Sequence, residues 1–379
     1  MREILNFIHN TPTGFCRWAG SAAAAAAAGA AAKMRVDAAA ECAAKRTAKY
    51  AVGRGSARGG GLRVAAAGVR QKNKESFAMK KRETAGCLML FVTAMIWGSA
   101  FLAQQSGMEH IGPFTMQTVR YLLAGLVLLP FIAIFDKTGK ITKKPVTREE
   151  RRLQYGSGAI CGVLLCVASI LQQYGLIYTS VGKSGFITAL YIVLVPLIGL
   201  LFGRKTDVFT WIYALIAVAG LYILSMSGAV TVNKGDLLTL CCAVGFALHI
   251  LKIDSVTGRV DGVRLACTQF FVCAALSAVG MVLLERPVWS DILAGWFPIV
   301  YAGVLSGGVA YTMQILGQQS VPPTLASMIM SLESVFAALF GWIIGGQTLS
   351  GRELAGCAMM FAAIVLSQLP RPQRKKAEN

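Results

Sequence analysis

The sequence predicts an all-α integral membrane protein with about ten transmembrane helices in two inverted five-helix repeats. Three observations predict this fold. The composition is apolar and poor in charge, apolar runs of spanning length alternate with short polar breaks, and the second half of the chain repeats residues of the first. The composition indicates a lipid environment. The apolar runs give the number of helices, and the repeat gives their arrangement.

The composition is that of a protein in a bilayer. Of 379 residues, 55% are hydrophobic and 15% are charged, with a mean hydropathy of +0.58. Soluble domains contain roughly 45–50% apolar and about 25% charged residues. The net charge of +19 divides into +9 in residues 1–78 and +10 in the remainder, mostly in breaks between apolar runs. Basic breaks beside apolar helices indicate membrane topology, so we expect no nucleic-acid partner.

Cysteine and histidine do not form a pattern typical of a metal centre. Eight of the ten cysteines lie in or at the edge of apolar runs, where cysteine behaves as a small hydrophobe. No Cys-x-x-Cys pair has zinc-type spacing. His9, His110 and His249 are too few for a histidine-rich site. We therefore expect no metal, no cofactor and no catalytic residue.

Residues 1–78 differ in composition from the rest of the chain. They contain the alanine run Ala22–Ala28 and the glycine run Gly59–Gly61, with few larger apolar side chains, which predicts a disordered basic extension. One interpretation is a basic, acid-poor targeting segment. The other is an extension that is not translated, with Met79 as the start. The basic residues 80–82 directly before an apolar helix favour this second interpretation.

Ten apolar runs follow. A helix needs about 20 mostly apolar residues to cross a bilayer. The predicted spans lie at 86–104, 115–135, 157–177, 185–203, 208–226, 236–252, 264–284, 295–315, 324–345 and 352–369. Ten spans with no soluble insert leave no room for a separate catalytic domain, so the chain is not expected to be an enzyme.

The positive charges in the breaks predict the orientation. If the first span starts in the cytoplasm, the cytoplasmic breaks and the tail contain sixteen Lys and Arg residues, against four in the outer breaks. Positive charges concentrate on the cytoplasmic side. We therefore expect a multi-pass protein of the cell inner (cytoplasmic) membrane, with both termini cytoplasmic and residues 371–379 as a basic cytoplasmic tail.

An internal repeat divides these spans into two sets. At an offset of 142 residues, the matching positions are Gln172/Gln314, Gly175/Gly317, Leu190/Leu332, Val193/Val335, Gly199/Gly341 and Gly203/Gly345. At an offset of 149, they are Gly86/Gly235, Leu88/Leu237, Ala94/Ala243 and Trp97/Phe246. We predict repeats at 84–228 and 235–370. Because each contains five spans, an odd number, the two have opposite orientations, an arrangement that recurs in secondary transporters.

Several short motifs lie at comparable places in the spans. They are Trp97-Gly98-Ser99, Pro113-Phe114 followed by Arg120, Pro196, Tyr311-x-x-Gln314 with Gly317, and Leu332-Glu333-Ser334-Val335. In their order and spacing, over about residues 84–370, the chain resembles the drug/metabolite transporter superfamily, in particular its ten-span EamA-domain members. Ser334 stands where that family usually has proline, which weakens the expectation of a kink in the ninth span. The resemblance implies a proton-linked, exchange-linked or facilitative carrier of amino acids, metabolites or drugs.

Glu333 lies well inside the ninth predicted span, among apolar side chains. An ionised carboxylate in hydrocarbon costs at least ~2–3 kcal/mol, so Glu333 is expected to face the bundle interior. It is a candidate site for protonation or for a substrate amine at the interface of the repeats. The structural alternative is an acid paired with an internal hydroxyl, amide or arginine. Tyr191, its repeat equivalent, is a candidate cavity wall, with simple packing as the alternative.

Four more residues complete the candidate substrate-binding set. Arg120, near the start of the second span, is suited to neutralising a substrate carboxylate, or alternatively to extending toward the lipid headgroups. Gln172 and Gln314 occupy equivalent positions, where an uncharged amide either lines a cavity or joins neighbouring helices. Trp97 is a candidate cavity wall or a packing residue.

These features predict a secondary transporter (permease) that exports a small metabolite, amino acid or drug by alternating access. The alternatives are a membrane channel, which would show far higher flux and no counterflow, and a membrane-embedded enzyme. The expected partners are a small-molecule substrate, the lipid bilayer, protons as the candidate coupling ion, and a second copy of the chain in a homodimer.

Overall fold

The computed structural model describes residues 59–138, 144–179, 181–225, 232–343 and 350–368, with side chains from Ser76 onward apart from Thr138 and Val181. The chain divides into two compact units, Met1–Met79 and Lys80–Asn379. Of the predicted extension, residues 1–58 lie outside the described residues, as does the whole predicted tail, 371–379.

The regular elements in the described ranges are all helical. They are α1 (Gly59–Met108), α2 (Pro113–Thr138), α3 (Arg148–Tyr178), α4 (Val181–Ala189), α5 (Tyr191–Leu201), α6 (Val208–Ser225), α7 (Lys234–Val256), α8 (Gly262–Leu284), α9 (Trp289–Ala294), α10 (Trp296–Val300), a π-helix (Tyr301–Tyr311), α11 (Thr312–Gly317), α12 (Pro323–Met330), α13 (Glu333–Ile343) and α14 (Gly351–Gln368). Helices satisfy their own backbone hydrogen bonds, which a chain in hydrocarbon requires.

Nine helical stretches in these ranges are long and apolar enough to cross a membrane, by length and composition, and they correspond to the first nine predicted spans. The tenth, predicted at 352–369, corresponds to α14, whose mean hydropathy is lowered by Arg352, Glu353 and Gln368 at its ends. The third span begins earlier than predicted. A capping box formed by Thr147 and Glu150 starts α3 several turns before the apolar run.

Helices of the two halves pack in equivalent combinations. The helix pairs α2/α8 and α6/α14 each join equivalent helices of the two halves. Helix α3 packs along α7. The equivalent contact in the other half joins the eighth span to α1, where Thr93 Oγ1 donates to the Ala310 carbonyl at 3.1 Å. The contact between α3 and α7 therefore has a counterpart in the contact between the eighth span and α1.

At two helix crossings the backbones approach each other closely at glycines. These glycines occupy equivalent positions in the two halves of the repeat. A Cβ on Gly86 would lie 2.8 Å from the Gly317 carbonyl oxygen. A Cβ on Gly235 would lie 2.7 Å from the Gly175 carbonyl oxygen. Gly86 is equivalent to Gly235, and Gly175 to Gly317, so the same close approach occurs once for each half. Small residues allow this approach in membrane helices.

The fourth and ninth spans are interrupted at equivalent positions. Helix α4 gives way to α5 at Leu190, and α12 to α13 at Ser331 and Leu332. At both points a backbone N–H donates to the carbonyl oxygen three residues earlier. Leu190 N–H donates to Ile187 O and Leu332 N–H to Ile329 O, each at 3.2 Å. The ninth span is thus interrupted although Ser334 replaces the usual proline. The Ser334 hydroxyl donates instead to the Gly185 carbonyl of α4, at 3.1 Å.

The eighth span contains the π-helix, and its small residues face α2. A Cβ on Gly303 would lie 2.9 Å from the Arg120 carbonyl oxygen, and one on Gly307 would lie 2.8 Å from the Ala124 Cβ. These small residues therefore bring the backbones of α2 and the π-helix together. Wider π-type turns occur often at functional sites, and this one leads directly into Tyr311 and Gln314.

Helices α2 and α8 are joined at both ends by equivalent acids. At one end Glu285 accepts hydrogen bonds from Phe114 N–H at 2.8 Å, and from Thr115 N–H and Oγ1 at 2.7 Å each. At the other end Asp136 forms an ion pair with Arg264. Asp136 and Glu285 are 149 residues apart, so each acid near the end of one helix binds the first turn of the other.

The Glu285→Gln substitution is expected to lower the free energy of unfolding. Glutamine keeps one oxygen but presents an amide N–H₂ group to the donors of Thr115, and hydrogen bonds to charged groups contribute about 1.5–3 kcal/mol. A detergent titration followed by circular dichroism would measure the change. Glu109→Gln, at an exposed position, is the matched control. Equal stability of the two variants would contradict the proposed contribution of Glu285.

Candidate functional site

A cavity lies where helices of both halves meet, and its roughly 470 Å³ of empty space includes space open to the surroundings. It is lined by aromatic, aliphatic, amide and hydroxyl side chains together with one guanidinium and one carboxyl group. Its lining consists of Trp97, Phe101, Gln104, Arg120, Gln172, Thr188, Tyr191, Phe246, Ile250, Ser306, Tyr311, Gln314, Met330 and Glu333. All six residues predicted from the sequence to bind substrate belong to this lining, and their binding role stays a prediction.

The lining is largely symmetric with respect to the repeat. Ten of its fourteen residues form five equivalent pairs at the two offsets of the repeat, 142 and 149 residues. These are Trp97/Phe246, Phe101/Ile250, Gln172/Gln314, Thr188/Met330 and Tyr191/Glu333. The cavity therefore lies where equivalent parts of the two halves face each other.

Glu333 and Tyr191 begin the helices that follow the two interruptions. Glu333 is the first residue of α13 and Tyr191 the first of α5. The Tyr191 hydroxyl donates to Glu333 Oε1 at 3.0 Å. Glu333 is 4% exposed, and none of the ion pairs in the described ranges includes it. The carboxyl thus lines the cavity and also accepts from an internal hydroxyl, and its role in binding a proton or a substrate amine stays a prediction.

Arg120 extends into the bundle from α2. Its side chain is 2% exposed, which excludes extension toward the headgroups. Nη1 donates to Gln104 Oε1, and Nη2 donates to the Tyr121 hydroxyl at 2.6 Å. The Tyr121 hydroxyl lies 2.8 Å from Ser169 Oγ. Arg120 Nε is buried without a partner, so the guanidinium retains hydrogen-bonding capacity beside the cavity.

The two equivalent glutamines differ in how their hydrogen bonds are satisfied. Gln172 Nε2 donates to Thr188 Oγ1 at 3.3 Å, so this residue both lines the cavity and joins α3 to α4. Gln314 Oε1 is buried and has no partner. Buried polar atoms in proteins are nearly always paired. The free acceptor of Gln314 is therefore available to a donor that enters the cavity.

Trp97 serves both as wall and as packing residue. Its indole N–H donates to the Ser306 carbonyl of the π-helix at 3.3 Å. Its ring centroid lies 4.7 Å from that of Tyr311. These contacts fix the indole against the eighth span while one side of it faces the cavity.

Gln104 is one of the polar lining residues that the sequence prediction did not include, with Thr188 and Ser306. The first span was predicted to end at 104, whereas α1 continues to Met108, so Gln104 lies within the helix and points inward. Two aromatic members of the lining had been quoted for other reasons: Phe246 as the repeat equivalent of Trp97, and Tyr311 in a family motif. Applying the 149-residue offset to Phe101 would have identified Ile250 as well.

Comparison with known proteins supports a transport function. The model of the EamA-like transporter family matches residues 84–226 and again 233–369. An "Uncharacterized transporter" of Archaeoglobus fulgidus is 29% identical over 286 residues, 74% of this chain and 85% of that protein. The "Uncharacterized inner membrane transporter YedA" of Escherichia coli K12 is 27% identical over 285 residues, 74% of this chain and 89% of that protein.

More distant similarities agree with these. The "WAT1-related protein At3g02690, chloroplastic" of Arabidopsis thaliana is 24% identical over 299 residues, 72% of this chain and 67% of that protein. A solved structure described as "Crystal structure of protein" has a TM-score of 0.61 at 20% identity, and the match covers 75% of this chain and 96% of that one. At this identity the structural match shows the fold alone.

The helical fold, the internal cavity and these relatives define a multi-pass membrane transporter. Within that class, the chain belongs to the EamA-like transporter family, whose model matches it twice.

Proposed function

We propose that this protein is a secondary transporter that exports a small metabolite, amino acid or drug across the cytoplasmic membrane by alternating access. The observation that carries the proposal is the cavity lined by equivalent residues of both halves. The two interrupted helices begin again at this cavity with Tyr191 and Glu333. Discontinuous helices at the repeat interface are typical of substrate sites in secondary transporters.

The equivalence of the two halves supports alternating access. If the repeats have opposite orientations, a contact on one side of the membrane has an equivalent on the other. The Gly86–Gly317 and Gly235–Gly175 crossings form such a pair. A carrier built in this way reaches its second state when the halves exchange conformations around one shared cavity.

The charged lining favours a small zwitterion as cargo. Arg120 is suited to a carboxylate, because guanidinium–carboxylate hydrogen bonds are strong and directional. Glu333 and the free acceptor of Gln314 are suited to an amine. Trp97 and Tyr311 add an aromatic wall. Amino acids combine a carboxylate, an amine and an apolar part, so they are the cargo class that this lining fits best.

The proposed location of the protein is the inner membrane of the cell, with both termini in the cytoplasm. The support for this orientation is the excess of Lys and Arg in the breaks on one side of the spans. Protons are the proposed coupling ion, with Glu333 as the group that binds them, because intramembrane carboxyls commonly belong to proton pathways.

Counterflow in proteoliposomes tests the carrier. Vesicles with the purified full chain are loaded with unlabelled L-leucine, L-phenylalanine, L-threonine or ethidium, and the same labelled solute is added outside. We expect transient accumulation of label for at least one solute, absent from protein-free vesicles. Linear flux without counterflow would identify a channel, and chemical conversion of the solute would identify an enzyme. Either outcome would overturn the proposal.

A further inference from the structure

Gln104 connects the first span to the buried cation of the cavity. Its Oε1 accepts from two donors, Nη1 of Arg120 and Nε2 of Gln173, the second at 2.5 Å. Its own Nε2 donates to the Ala100 carbonyl at 3.2 Å. Because the amide nitrogen is engaged along its own helix, the oxygen is directed at Arg120. Gln104 is buried in the cavity lining.

The partners that hold Arg120 are all neutral. Gln104 supplies an amide oxygen and Tyr121 a hydroxyl. None of the ion pairs in the described ranges includes Arg120, although Glu333 lines the same cavity. A buried charge costs free energy unless it is paired. The guanidinium is thus held in place without being neutralised, and Nε remains without a partner.

The second half of the chain lacks this arrangement. At the 149-residue offset, Ile253 is the equivalent of Gln104 and Gln269 the equivalent of Arg120. Ile253 is buried in an apolar cluster, and Gln269 bonds His249 at 3.0 Å. The cation and its amide partner therefore occur together in one half and are both absent from the other. Packing of the repeat does not by itself require either of them.

We propose that Gln104 is the positioning residue of Arg120 and keeps its positive charge available for an anionic group of the cargo. A neutral acceptor orients the guanidinium without competing for it. A carboxylate at this position would form the ion pair itself and exclude the cargo's anion. The proposal rests on the proposed function, in that the cargo must enter this cavity.

The test compares Gln104→Glu and Gln104→Met in proteoliposomes. The probes are L-leucine, L-phenylalanine and L-threonine, each beside its methyl ester, which lacks the carboxylate charge. For the free acids we expect Gln104→Glu to raise KM by about tenfold or more, and Gln104→Met to raise it by about three- to fivefold, with Vmax little changed. KM for the esters should change by less than about twofold.

A matched control separates positioning from general damage. Gln117 is a buried glutamine outside the cavity lining and donates to the Cys166 carbonyl at 3.0 Å. Gln117→Met should leave KM for acids and esters unchanged. Equal effects of the Gln104 substitutions on acid and ester, or no effect on KM for the acid, would overturn the proposal. If Gln104→Glu fails to fold, Gln104→Met decides by the same criterion.

Stabilisation by the same probes distinguishes the two proposals. The melting temperature of the wild-type chain in detergent is expected to rise with the free acids, and less or not at all in Gln104→Glu. If the acids stabilise the wild-type chain but are not transported, the carrier proposal fails and the stabilisation data decide the role of Gln104. If the acids neither stabilise the wild-type chain nor are transported by it, the anion site and the role of Gln104 are both overturned.

Discussion

Glu333→Gln is expected to lower saturable uptake by about 10- to 100-fold. In the proposed function Glu333 binds the amine of the substrate, and a hydrogen bond to a charged group contributes about 1.5–3 kcal/mol. Glutamine has nearly the same shape and still offers an oxygen to the Tyr191 hydroxyl. The substitution therefore removes the ionisable group and retains the packing of α13. The residual uptake should no longer respond to a pH gradient across the vesicle membrane. Initial rates of uptake, with and without an imposed gradient, measure both effects.

Two controls accompany this substitution. Glu149→Gln changes an exposed acid in the first turn of α3 and should leave uptake unchanged. Tyr191→Phe removes the hydroxyl that donates to Glu333 but leaves the carboxyl, so it should reduce uptake less and preserve the response to pH. Saturable uptake by Glu333→Gln that equals the wild type at every pH would remove Glu333 from the mechanism.

Gly98→Ala is expected to lower the free energy of unfolding by about 1–3 kcal/mol, the usual cost of overpacking. A Cβ on Gly98 would lie 2.5 Å from Phe336 Cβ and 2.7 Å from both Glu333 O and Ala337 N. Two of these three neighbours are backbone atoms, so α1 and α13 must separate. Since α13 begins with Glu333, the shift should also displace the carboxyl and reduce uptake.

The matched control is Gly156→Ala. Gly156 is an exposed glycine within α3, and an added Cβ there would meet nothing within 4 Å. Alanine in a helix is more stable than glycine by roughly 0.5–1 kcal/mol, so this variant should be slightly more stable than the wild type. Equal stability of Gly98→Ala and the wild type would show that α1 and α13 are not held together at this point.

Much of the candidate site could be inferred before the tertiary structure, through the repeat. Gln172 and Gln314 are equivalent, as are Tyr191 and Glu333, and the structure brings all four to one cavity. The physical reason is that a polar or charged side chain inside an apolar span must face other helices or an internal space. An offset that pairs such residues therefore selects positions near the contact between the halves.

Other features of the fold and of the site could not be predicted, because they depend on helix ends and on backbone hydrogen bonding that the residue pattern does not specify. Gln104, the last residue of the predicted first span, was not among the candidates, because hydropathy does not locate the end of a helix that continues beyond its apolar run. Ser334, in place of proline, weakened the expectation of a kink in the ninth span, yet the i−3 hydrogen bond of Leu332 interrupts this helix without a proline. The π-helix at Tyr301–Tyr311 likewise has no sequence signal other than its glycines.

The sequence by itself determined that this is a membrane protein of about ten helices, because hydrocarbon requires long apolar helices and places positive charges beside them. It also determined the repeat and, through the family motifs, the class of protein. Only the tertiary structure decided that Arg120 is buried among neutral partners, that Glu333 meets Tyr191, and that Gln104 lies beside the cation. Those facts depend on how the helices cross, and crossing distances arise from packing between segments far apart in the chain.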